Sequence, residues 1–62
     1  MLEYDEAIRL YKKKLFGADP LFRLRPPLPS AGLSHCDEET WYLRDQDGRL
    51  LARVSREGVH LR

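Results

Sequence analysis

A chain of 62 residues has material for one domain and one small core. Its only cysteine, Cys36, excludes an internal disulfide, and a formal net charge of +1 gives no bulk attraction to nucleic acid or to an acidic membrane surface. Charged residues of both signs make up 34% of the chain, which favours a solvated surface.

The first predicted element is an amphipathic helix from Leu2 to Phe16. Tyr4, Ile8, Tyr11 and Leu15 recur at i, i+4, i+7 and i+11 and form one narrow stripe. Glu3, Asp5 and Glu6 open the segment and Lys12, Lys13 and Lys14 close it, an arrangement that complements the helix dipole. Gly17 suits a left-handed cap and Pro20 blocks continuation. Leu2, Leu10 and Phe16 lie off the stripe.

Leu21 to Arg25 alternates as a short edge strand would, until Pro26 and Pro27 end any ladder. Residues 26–39 read as a connection, pinned by Leu28 and Leu33 or else mobile. Within this stretch, Arg23-Leu-Arg-Pro-Pro-Leu-Pro29 has a basic residue followed by spaced prolines. It resembles the ligands of polyproline-binding Src-homology-type domains. That resemblance covers seven residues and implies a eukaryotic partner domain; the composition alone describes a stiff spacer.

From Thr40 the chain reads as a β-meander, TWYLRD, RLLARVS and VHLR, separated by DQDG and REG. A two-residue Asp47-Gly48 turn sets Trp41 opposite Val54 and Leu43 opposite Ala52. A three-residue turn slips the pairing by one and sets Arg53 against Trp41, which packs less well. A Glu57-Gly58 turn then places Val54 opposite Leu61. The predicted fold is therefore α+β: the N-terminal helix packed on a three-stranded antiparallel meander, with 21–25 as a candidate fourth strand. The predicted core is Tyr4, Ile8, Tyr11, Leu15, Trp41, Leu43, Ala52, Val54, Val59 and Leu61.

Alternation leaves the other sheet face with Thr40, Tyr42, Arg44, Arg49, Leu51, Arg53, Ser55, His60 and Arg62, joined by Arg23 and Arg25 if the edge strand forms. An aromatic among arginines, with no carboxylate expected, is a pattern that single-stranded nucleic-acid binders use: cations hold phosphates and the ring stacks a base. The candidate residues are Tyr42, Arg44, Arg53, His60 and Arg62. The alternative is a solvated face with arginine stems lying over Leu51 and Tyr42.

Nucleophilic chemistry at Ser34-His35-Cys36-Asp37-Glu38-Glu39 is not expected. A neighbouring histidine in sequence points away from the thiol, and three following carboxylates oppose a thiolate. Cys36, His35 and His60 also lack the spacing of a structural zinc site. Lys12 to Lys14 read as a solvated helix end, and no glycine-rich phosphate loop is present. The expectation is a non-enzymatic module without cofactor, binding an unidentified protein or itself. Leu10, Phe16, Leu28 and Leu33 have no place in the predicted core and are its candidate contact residues. No apolar run reaches the roughly 18 residues of a membrane span, and the acidic start MLEYDEAIRLYKKK lacks the basic head of a secretion signal, so the expected location is cytoplasmic.

Overall fold

The structure, a computed structural model, describes residues 2–18 and 27–61. One helix, α1 (Tyr4–Ala18), packs on a four-stranded antiparallel sheet in meander order: β1 (His35–Asp37), β2 (Thr40–Arg44), β3 (Leu50–Ser55) and β4 (Gly58–His60). The α+β class and the meander follow the periodicities of the sequence. The candidate edge strand at 21–25 lies outside the described residues.

The helix stripe faces the sheet, centred on Ala7, Tyr11 and Leu15, all buried, with Tyr4 and Ile8 packed at its margins. Ala7 was not expected in the core; its small side chain lets the helix approach Leu43, Ala52 and Val54, which are fully buried. Leu2 also joins this cluster rather than lying off the stripe. Its carbonyl accepts the Trp41 indole N–H at 2.7 Å, and Tyr4 meets the Trp41 ring edge-on at 5.3 Å. Those two contacts anchor the chain start to β2. Trp41, Val59 and Leu61 are half-buried against the core. Among the described residues, no helix is long and apolar enough to cross a membrane.

Gly17 does not cap the helix, which runs through it to Ala18; the glycines with positive φ are Gly48 and Gly58. Lys12 to Lys14 consequently sit before the last turn, which carries no basic residue.

The fourth strand arises inside the segment read as a loop. β1 pairs with β2 through His35↔Tyr42, Cys36↔Trp41 and Asp37↔Thr40, leaving Glu38 and Glu39 as a two-residue turn. Both have positive φ, 49° and 65°, as a type I′ hairpin requires. Asn-Gly or Asp-Gly ordinarily marks such a turn, so Glu-Glu concealed it. The preceding segment is held by backbone and hydroxyl groups rather than by Leu28 and Leu33. The Tyr11 hydroxyl donates to the Pro27 carbonyl at 2.7 Å, Ser30 N–H to the Arg44 carbonyl at 2.7 Å, and Arg44 N–H to Ser34 Oγ at 3.1 Å.

Between β2 and β3 the pairing is Trp41↔Val54 and Leu43↔Ala52, yet the turn is not the two-residue one. Asp45 N–H donates to the Arg49 carbonyl and Gly48 N–H to the Asp45 carbonyl, both at 3.0 Å, so Gln46, Asp47 and Gly48 form a three-residue loop. Asp45 Oδ1 secures it by accepting from Asp47 and Arg49 N–H, each at 2.9 Å. An irregularity after Leu43, where Arg44 pairs with Leu50, restores the core register. Leu51 is the extra residue, and it packs against the core instead of lying on the outer face. Between β3 and β4 the turn is Arg56-Glu57, not Glu57-Gly58, so Val54 faces Val59 rather than Leu61. The difference is two residues, and because side chains alternate with period two, Val59 and Leu61 keep their core-side orientation.

Candidate functional site

Two of the concave regions formed by the described residues lie on different sides of the sheet. The larger is a groove of about 560 Å³ between the C-terminal half of α1 and β4, lined by Leu10, Lys13, Lys14, Gly17, Ala18, Gly58 and Val59. Among the described residues β4 is an edge strand of the sheet, with β3 on one side of its backbone and no described strand on the other. Gly17 and Gly58 lie on opposite walls, and a Cβ at either would meet no atom of the described residues within 4 Å. Two glycines therefore leave open space where side chains would narrow it. The groove has an apolar lining and two lysines at its rim, and no carboxylate stands among its described lining residues.

The four expected contact residues are not gathered into one patch. Leu10, 36% exposed, lines this groove. Phe16 is half-buried. Leu28 and Leu33, 56% and 46% exposed, belong to the segment fastened beside β2 at Arg44. In a sheet ordered β1-β2-β3-β4, that segment bonds to the β2 end of the meander while the groove borders β4.

The second region is on the outer sheet face. Register aligns His35, Tyr42, Arg53 and His60 in one row across all four strands. His35 and Tyr42 stack, with ring centroids 5.1 Å apart and planes 15° apart. Beside them is a shallow hollow of about 240 Å³ lined by Thr40, Tyr42, Arg53, Ser55, Glu57 and His60. Tyr42, Arg53 and His60 thus converge as alternation predicts. Arg44 does not join them: its Nη1 donates to the Gly48 carbonyl at 3.0 Å and holds the neighbouring loop. Arg62, Arg23 and Arg25 lie outside the described residues. The face is not free of carboxylates either. Glu57 lines the hollow because the turn falls at Arg56-Glu57, and Asp37 shares the outward phase of His35.

Alternation also separates His35 from Cys36, which pairs with Trp41 on the helix side of the sheet. His35, Cys36 and His60 therefore do not converge. Among the described residues, no group of three or more His, Cys, Asp and Glu side chains is placed to hold a metal ion. Comparison with protein-family models, with curated proteins and with solved structures finds no match.

Proposed function

We propose that the protein is a small non-enzymatic interaction module, and that the groove between α1 and β4 receives an extended segment of a partner protein. The observation that carries this reading is the meeting of an edge strand, an apolar lining and two lysines in one open groove. An added strand pairs its backbone with β4 while alternate side chains settle against Leu10 and Val59. Lys13 and Lys14, with no carboxylate among the described lining residues, favour a segment bearing Asp or Glu. The same charges disfavour self-association through β4: a two-fold contact would bring each copy's Lys13 and Lys14 toward those of its partner.

The test is selection of unstructured peptides from a random displayed library, followed by amide mapping of the best binder. The expected peptides alternate acidic and β-branched residues and perturb Leu10, Gly17 and Val59. Gly17→Leu, which fills the groove, and Lys13→Glu should each abolish binding while the helix is retained. Selected peptides without acidic residues, or binders mapped to Leu28 and Leu33, would overturn the proposal.

A further inference from the structure

We infer that the outer sheet face binds a nucleoside phosphate, with the base stacked on Tyr42 and the phosphate held by Arg53 and His60. This site shares none of the groove's lining residues, so it stands or falls independently of the proposal above.

Three observations support it. First, Tyr42 is already oriented. His35 packs on one side of its ring at 5.1 Å and near-parallel, so the ring need not be ordered when a base arrives on the side of the hollow. Base–aromatic stacking is sequence-tolerant, because every base has a π-face. Second, the register sets Arg53 directly beside Tyr42, and His60 directly beside Arg53. Neighbouring strands lie about 4.8 Å apart, so Arg53 and His60 stand one and two strand spacings from Tyr42 along the same row. Both Arg53 and His60 are exposed. Third, the Thr40 and Ser55 hydroxyls line the same hollow and offer donors and acceptors to a base edge.

The extent of the hollow, about 240 Å³, suits one nucleotide rather than a run of them. With Arg44 engaged by Gly48, Arg53 is the cation that lines the hollow, and one phosphate is its natural complement. Glu57 opposes any anion in the hollow, so its removal should tighten binding. A nucleoside phosphate can come from a single strand of RNA or DNA or from a free nucleotide, and the experiment separates these sources.

The experiment titrates the whole chain, at low salt, against a short fluorescein-labelled oligoadenylate, adenosine monophosphate and inorganic phosphate. Amide shifts report the unlabelled ligands. Binding of the oligonucleotide alone identifies a strand as the source, and equal binding of the mononucleotide identifies a free nucleotide. In either case Tyr42→Ala should weaken binding roughly 5- to 150-fold while Tyr42→Phe preserves it. Arg53→Gln should lower the salt slope for the oligonucleotide by about 0.7. Glu57→Gln should strengthen binding, and since Arg53 and Glu57 are exposed, these two variants test the site without touching the core. The inference is overturned if neither adenylate ligand saturates, if inorganic phosphate binds as well as the mononucleotide, or if binding survives both Tyr42→Ala and Arg53→Gln unchanged.

Discussion

Replacing Glu38-Glu39 by Asn-Gly should stabilise the protein by about 1–2 kcal/mol. Both glutamates have left-handed backbone, with φ of 49° and 65°. That conformation costs an L-residue roughly 1–2 kcal/mol, so the pair carries about 2–4 kcal/mol of local strain. Asn tolerates it better and glycine is not opposed to it, but glycine widens the unfolded ensemble at a cost of about 0.5–1 kcal/mol. Full relief would leave about 1–3.5 kcal/mol, and because Asn keeps part of its own share of the strain the net gain is about 1–2 kcal/mol. For a domain of this size each kcal/mol moves the midpoint by about 4–8 °C, so the double variant should melt roughly 4–16 °C higher. The assay is thermal unfolding followed by circular dichroism and by Trp41 fluorescence, with Glu38→Gln/Glu39→Gln as the control. That control removes the charges beside Asp37 and leaves the backbone conformation unchanged. A gain as large in the Gln pair would show that charge repulsion, not backbone strain, is the source. No gain in Asn-Gly would refute the turn assignment itself.

Two further outcomes follow from single atoms in the fold. Burial raises the Tyr11 phenol above its usual value near 10. Above that pH the unfolded chain loses the proton first, the folded state holds more protons, and stability falls as pH rises toward the folded value, whereas below about 10 it is fully present. Urea unfolding across this range should show that decline shrinking in Tyr11→Phe, which also loses about 0.5–1.5 kcal/mol at neutral pH with its bond to the Pro27 carbonyl. Glycine-to-alanine changes should act in opposite directions at two positions: Gly17→Ala, helical and unobstructed, gains up to about 1 kcal/mol, while Gly48→Ala, at φ 83°, loses about 1–2 kcal/mol, both read from urea midpoints.

The helix and the central hairpin were legible because their signals are long. Four apolar residues at helical spacing point one way, and Trp41, Leu43, Ala52 and Val54 alternate over two strands. β1 was not legible because three residues, His-Cys-Asp, carry no period, and Glu-Glu does not announce the turn that follows them. Gly17 misled in the other direction: a glycine after an apolar run resembles a cap, but nothing in this chain requires positive φ there. Its role is spatial, leaving one wall of the groove open opposite Gly58, and no local pattern links those two positions. On the outer face, Tyr42, Arg53 and His60 could be read by alternation, while His35 was lost with β1 and Glu57 with the misplaced second turn.

The central hairpin shows how local and long-range preferences divide a strand between them. Asp45 and Gly48 favour a three-residue loop, since the aspartate carboxylate collects two turn amides and the glycine accepts positive φ. Continued without interruption, that loop would carry Arg53 opposite Trp41 and expose Val54, exchanging the two faces of β3 along its length. Burying an arginine beneath α1 costs several kcal/mol without a partner, far more than one irregular step in a ladder. The sheet therefore absorbs one residue between Leu43 and Arg44 and places Leu51 against the core, where its side chain adds apolar contact. The same step decides the chemistry of the outer face. Because the bulge returns Val54 to the core, Arg53 emerges between Tyr42 and His60, and the hollow acquires its cation.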